Sequence, residues 1–286
     1  MTGANILVTG TPRSGTTLTC HLLNKLPDTL ALHEPMKVKY FESLPPDSVV
    51  AMIEQFCVGQ RASAIRNKRV VSKNVDGVVP DNPIGEGRSD AGYRMSIASK
   101  GAIRIDKDLS PDFTLVIKHN SSFTAMLGTL VQHFPVFGVI RNPLATLASW
   151  SSVNFNVRMG YAKAAERLDE TLTQRLAAIE DDLDRQLCLL DWFHRQYRTH
   201  LPESSVLRYE TVVESGGRAL RVVKPEADQL DEPMVSRNTS KLYDHDGMLQ
   251  IGERLLKSDG AYWEWYTRES VAELLEHVSH APQEAM

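Results

Sequence analysis

Short apolar runs of about five residues alternate along this chain with stretches whose apolar positions fall three and four apart. Asn5 to Thr9 is apolar and β-branched and predicts a buried strand. Thr16 to Leu26 follows with Leu18, Leu22, Leu23 and Leu26 on one stripe and predicts a helix. Asp47 to Asn67 predicts a second helix, with Asp47 as its N-cap. Phe113 to Ile117, Val136 to Ile140 and Val206 to Tyr209 predict further strands. Helices are predicted over Ser121 to His133 and over Pro143 to Val153, with proline in the first turn of the latter. Ala162 to His200 predicts more than one helix. Residues 245–280 predict a mostly helical C-terminal part, with Trp263, Trp265 and Tyr266 packed on the core. Strands alternating with helices imply an α/β fold, a parallel sheet with helices on both faces.

The stretch 72–112 breaks this pattern. It is rich in Gly, Pro, Asp and Ser and has little periodicity. It is expected to be a flexible lid or substrate loop, or a plain insertion, within a single domain spanning 1–286.

Composition narrows the picture by exclusion. With 286 residues, a formal charge of −4 and 42% hydrophobic residues, the chain reads as an ordinary globular one. Mild acidity gives no reason to expect nucleic acid or an anionic membrane as partner. No run of about 18 apolar residues predicts a membrane span. The N-terminus shows no basic leader or cleavage site, so the cytoplasm is the expected compartment. Cys20, Cys57 and Cys188 are odd in number and far apart, which indicates neither a disulfide framework nor a zinc site.

Parallel sheets bind ligands at the carboxyl ends of their strands. Three predicted strand ends are polar or glycine-rich: Gly10 to Thr17, Lys118 to Asn120, and Arg141 to Pro143. In "GTPRSGTT", Gly10 and Gly15 have the spacing of the phosphate loop GxxxxGK[ST], but Thr16 stands where the lysine belongs. The basic residue is Arg13, two places before Gly15. Strand, glycine turn and helix make the sheet P-loop-like, and loop amides with the Thr16 and Thr17 hydroxyls would form an anion site. Where a magnesium-dependent enzyme would place a carboxylate, the other two strands end in Lys118 and Arg141. The pattern suggests an anion held by protein cations rather than by a metal, and a sulfuryl group fits that requirement.

"TPRSGTTL" resembles the 5′-phosphosulfate loop of sulfotransferases that use 3′-phosphoadenosine 5′-phosphosulfate (PAPS), whose cation stands where Arg13 does. "VFGVIRNPLATLASW" resembles the same family's 3′-phosphate motif, an arginine after a strand and a serine eight residues on, here Arg141 and Ser149. The resemblance implies a PAPS-dependent sulfotransferase of the bacterial small-molecule type. Arg13, Ser14, Gly15, Thr16, Thr17, Arg141 and Ser149 would bind the donor, with Tyr209 of "VLRYE" near the adenine. "VSRNTSKLY" faintly resembles a segment that returns to the cofactor, with Ser240 and Lys241 as possible contacts, although a plain surface loop is the simpler reading. The late phosphate motif of the cytosolic small-molecule enzymes is absent.

Transfer to a hydroxyl needs a base. Glu34, in "LALHEPM", lies 21 residues after Arg13, an interval at which carbohydrate and protein-tyrosine sulfotransferases carry a proposed glutamate base. Pro35 favours an extended backbone at Glu34. His119 precedes Arg141 by 22 residues, close to the histidine base of the cytosolic enzymes. Lys118 resembles the lysine that faces the transferring group, and His33 reads as packing or support. Glu34 is the preferred base and His119 the rival. The reading is metal-independent transfer to a hydroxyl or amine of a small metabolite or natural product, leaving adenosine 3′,5′-bisphosphate. Two alternatives stay open: a P-loop kinase or NTPase, and a non-catalytic nucleotide-binding module. Phe41, Phe56, Tyr93 and Phe123 are candidates for the acceptor pocket or, more simply, for the core.

Overall fold

The computed structural model describes residues 3–280. Strand β1 (Asn5–Gly10) is the middle of a five-stranded parallel sheet, buried from Ile6 onward. It leads through the glycine loop into α1 (Thr16–Leu23). This helix stops three residues short of its predicted end. Asn24 leaves it and uses its side-chain amide to bond both the N–H (2.7 Å) and the C=O (2.8 Å) of Ala31. Ala31 lies on β2 (Thr29–His33), a strand that the apolar pattern did not predict, and all five of its residues are buried.

Helix α2 (Pro46–Asn67) starts close to expectation, but Pro45 occupies the N-cap position. Asp47 lies in the first turn, where its charge complements the helix dipole without capping. The sheet resumes with β7 (Thr114–Lys118) and β8 (Val136–Ile140), and between them the predicted single helix is broken at Met126 into α3 (Ser121–Ala125) and α4 (Leu127–Leu130). Helix α5 (Pro143–Ser151) is capped by the Asn142 side chain, which accepts from the amides of Leu144 and Ala145. The long helical region resolves into α6 (Lys163–Glu166), α7 (Glu170–Ala177) and α8 (Asp182–His200). Strand β9 (Val206–Arg208) passes directly into α9 (Tyr209–Glu214), so Tyr209 opens a helix instead of closing a strand. Helices α10 (His245–Leu256) and α11 (Arg268–His280) complete the described part of the chain, with Tyr266 buried and Trp263 and Trp265 packed on the core.

The strand order is β2-β7-β1-β8-β9, all parallel. Gly10 pairs with Val139 and both Val8 and His33 pair with Lys118, so four strand ends come level at one edge. Leu7, Val8, Leu115, Ile117 and Val139 fill the layer beneath, and each such buried side chain stabilises the fold by about 1.5–3 kcal/mol. The chain contains no described helix long and apolar enough to cross a membrane. All three cysteines are free, with Cys20 and Cys57 buried.

The stretch 72–112 is not one unstructured loop but carries short strands. Strand β3 (Arg69–Asn74) pairs antiparallel with β6 (Ser99–Arg104), and between them β4 (Ile84–Arg88) pairs with β5 (Arg94–Ser96). These ribbons are half exposed, which is why no apolar period marks them. Their anchorage is polar: Ser72 Oγ accepts the His33 amide at 2.9 Å, and the Arg94 amide donates to Ser152 O at 3.0 Å. Among the described residues the ribbons therefore join the two flanks of the sheet edge.

Candidate active site

A cleft of about 1050 Å³ opens along that edge. The glycine loop forms its floor. Arg13 and Gly15 both have left-handed backbone, φ 72 and 92. At Gly15 a Cβ would lie 2.7 Å from the Tyr209 ring, so glycine is required there by both backbone and space. Gly15, Thr16 and Thr17 line the cleft at the N-terminus of α1, where the first amides have no helical partner. Ser14 departs from the expected role. Its hydroxyl donates to Val139 O at 2.7 Å and is fully buried, so the side chain braces the loop against β8 and is not presented to a ligand.

The two sequence motifs meet here. Arg13 Nε donates to Ser149 Oγ at 3.2 Å, across 136 residues of sequence. One Arg13 terminal nitrogen donates to Asn82 Oδ1 at 3.1 Å. Arg141 donates to Arg13 O (3.1 Å), Asn238 Oδ1 (2.8 Å), Arg237 O (2.6 Å) and the Tyr243 hydroxyl (3.2 Å), and its guanidinium lies 4.7 Å from the Tyr209 ring centre. Tyr209 accepts the Arg237 amide at 3.0 Å through its hydroxyl. Burial lowers the Arg13 pKa to about 10, and neighbouring Arg94, Arg141 and Arg237 push the same way. Burial would raise Tyr243, but Arg141, Ser149 and Arg13 together bring it below the ordinary tyrosine value.

The opposite wall holds a carboxylate between two lysines. Glu34 accepts from Lys118 Nζ at 2.9 Å and from Lys73 Nζ at 2.6 Å. Burial acts to raise Glu34, but Lys118 and Lys73 outweigh it and hold the carboxyl well below its usual range. The extended backbone expected before Pro35 is not found: Glu34 has φ 45, and its amide donates to Lys118 O at 2.9 Å. The chain turns as β2 ends, and the turn carries the carboxylate to Lys118. Strand β7 ends at Lys118, so the alternation of faces lapses and both Lys118 and His119 line the cleft. His119 Nε2 accepts the Met36 amide at 3.1 Å, which places the proton of the neutral ring on Nδ1. Burial lowers His119 to about 3 and His33 to about 2.

Several contributors escaped sequence reading. Lys73 and Arg94 come from the ribbons, Asn82 from the connection between β3 and β4, and Arg237 and Tyr243 from the irregular segment before α10. No local signal marks the first three, which tertiary pairing alone brings to the sheet edge, whereas Arg237 and Tyr243 fall within "VSRNTSKLY", whose faint resemblance singles out Ser240 and Lys241 instead. Ser240 and Lys241 also line the cleft. Phe41, Phe56, Tyr93 and Phe123 do not: Phe41 and Phe123 are core, and Tyr93 lies beneath Arg158. Apolar lining comes instead from Leu18, Val38, Phe155 and Val157.

No protein-family model matches the chain, and no curated protein does. Among solved structures, it is similar to a sulfotransferase from Alicyclobacillus acidocaldarius, at 12% identity and a TM-score of 0.42, over 99% of this chain and 98% of that one. It is also similar to the sulfotransferase STF1 from Mycobacterium tuberculosis, at 14% identity and a TM-score of 0.34, over 97% of this chain and 77% of that one.

Proposed function

We propose that this protein transfers a sulfuryl group from PAPS to a hydroxyl or amine of a small molecule. The observation that carries the reading is the convergence of Arg13 and the Arg141–Ser149 pair on one cleft, with Glu34 and Lys118 on its opposite wall. The residues suit such a donor: a half-buried Arg13 and a buried Arg141 with no carboxylate partner among the described residues, a helix N-terminus, and a carboxylate paired with lysines.

When bound, the donor supplies an activated sulfuryl group. Arg13 and the amides of Gly15 to Thr17 hold its 5′ end. Arg141 and Ser149 hold the 3′-phosphate, and Tyr209 packs beside the nucleoside. Lys118 offsets negative charge on the transferring side. Glu34, ionised at neutral pH, takes the acceptor proton at a carboxylate oxygen. Its pairing with Lys118 restrains its basicity, and any loosening of that bond raises its proton affinity. His119 is less suited to the role because its Nε2 lone pair already receives the Met36 amide. Cations at the ends of β7 and β8, where a kinase needs a metal-binding carboxylate, favour sulfuryl over phosphoryl transfer. The apolar lining suits an acceptor with a hydrocarbon body.

Titration calorimetry with adenosine 3′,5′-bisphosphate, beside magnesium-ATP turnover, tests the reading. Bisphosphate binding without ATP hydrolysis is expected. Hydrolysis of magnesium-ATP with no bisphosphate binding would overturn it.

A further inference from the structure

Arginines are buried at several places in this chain, and most of them are saturated with acceptors. Arg61 is 3% exposed and makes four hydrogen bonds, to Gly3 O, Ala4 O, Phe113 O and Asn5 Oδ1. Arg185 is also buried and bonds the carbonyls of Met159, Leu176, Ile179 and Glu180, with Asp182 as counter-charge. Arg94 differs. It is also 3% exposed, yet its side chain makes one hydrogen bond, to Ser152 Oγ at 2.8 Å, and its Nε is buried with no partner. No carboxylate pairs with it among the described residues, and it lines the cleft.

Its surroundings add to the imbalance. Its guanidinium lies 5.9 Å from the ring centre of Tyr243, whose hydroxyl meets Arg141. Arg141 donates to the hydroxyl of the same tyrosine, Arg13 is near enough to lower its pKa, and neither has a carboxylate partner among the described residues. Arg237 brings a fourth guanidinium, matched by Asp81 at 3.0 Å. A buried guanidinium left short of acceptors and crowded by like charges is costly unless an anion completes the site. Arg94 lies on the Arg141–Ser149 side of that site, since its partner Ser152 donates to Ser149 O at 2.9 Å.

Resting on the proposed function, we infer that Arg94 is a second guanidinium of the donor's 3′-phosphate subsite, beside Arg141 and supplied by the β4–β5 ribbon. The ribbon is thereby part of the donor site, and Arg94 selects nucleotides that carry a phosphate at the 3′ position. A phosphomonoester presents enough oxygens to bond Arg141, Ser149 and Arg94 together.

The test compares binding of adenosine 3′,5′-bisphosphate with that of adenosine 5′-monophosphate, by calorimetry on the full chain. Wild-type protein is expected to prefer the bisphosphate. In Arg94→Gln that preference falls by about 10-fold to 100-fold while monophosphate affinity stays unchanged, which also reports an intact fold. Arg94→Lys keeps the charge and recovers part of the preference. Ser152→Ala removes the clip that docks Arg94 and is expected to lower the preference by less than Arg94→Gln does. An undiminished preference in Arg94→Gln, or an equal loss for both nucleotides, would overturn the inference. A wild-type protein that does not discriminate the two nucleotides would instead overturn the function on which it rests.

Discussion

The two ends of the central sheet both bury arginine, and they use it differently. At the N-terminal end Arg61 ties together the chain around the starts of β1 and β7. Each of its bonds goes to a backbone carbonyl or to Asn5, and its plane lies 4.7 Å from the Phe113 ring centre. At the C-terminal end Arg13, Arg94 and Arg141 crowd round one tyrosine with more positive charge than their neighbours balance. The first arrangement is complete within the protein and stabilises the fold. The second is a stored field that an anion would complete. Arg61, Arg94 and Arg141 share residue type and burial, so these do not identify a site; the single side-chain partner of Arg94 and the crowding of like charges do.

The sharpest way to break this contrast is to remove one arginine from each end. Arg13→Ala is expected to lower kcat/KM by at least about 1000-fold, since it removes the cation nearest the donor's reacting end. Its melting curve by circular dichroism should stay close to wild type, because relief of like-charge repulsion offsets the lost bonds to Ser149 and Asn82. Near-normal turnover would sink its assigned role. Arg61→Ala should do the reverse: a loss of about 3 kcal/mol in denaturant unfolding, with bisphosphate affinity unchanged. A stable Arg61→Ala variant with weakened bisphosphate binding would contradict the division between the two ends.

The Glu34–Lys118 pair offers a middle case, functional and structural at once. Glu34→Gln leaves Lys118 buried with no carboxylate and should cost about 3 kcal/mol of stability besides abolishing transfer. Lys118→Met should also destabilise. The double variant should be more stable than the two losses summed, by about 1–3 kcal/mol in a double-mutant cycle. Additive losses would mean that the pair is not coupled.

Acid sharpens the same point across the whole molecule. His33, His119 and His194 are buried and neutral, lowered by desolvation to about 2, about 3 and about 4 from an ordinary 6.5. The unfolded chain therefore takes up protons first. Their contribution is complete above the ordinary histidine value and is lost as pH falls below it, at about 1.4 kcal/mol per pH unit for each ring. The depressed Glu34 carboxyl adds a further loss only below the ordinary carboxyl range of 4.5. Unfolding titrations between about pH 7 and pH 5 should show the histidine slope first. Flat stability over that interval would contradict the burial of these rings. The smallest effect is expected of Ser149→Ala, about 10-fold weaker bisphosphate binding, for the loss of one hydroxyl ligand.

The reach of sequence reading follows the same physics. Strands β1, β7 and β8 were legible because they are buried on both faces and read as unbroken apolar runs. The glycine loop was legible because a left-handed turn before a helix restricts residue choice. Strand β2 was overlooked, since five buried residues between two prolines look like any short apolar segment. The stretch 72–112 reads as a loop in sequence because the strands it holds are short, half exposed and held by polar contacts. Ser14 was assigned to the ligand because composition cannot tell a hydroxyl that braces the loop from one that faces the cleft.

What the chain determined alone is local: a strand, a constrained turn, a cation in an unusual place, and a second cation at the end of another strand. Periodicity and turn chemistry are written residue by residue, so they survive without a fold. Which groups meet was decided by the parallel pairing of β7, β1 and β8, which brings Arg13 to Ser149, and by the turn after β2, which brings Glu34 to Lys118. The partners of Arg94 were decided the same way. Partner counts depend on contacts between residues far apart in the chain, and nothing in a linear sequence records them.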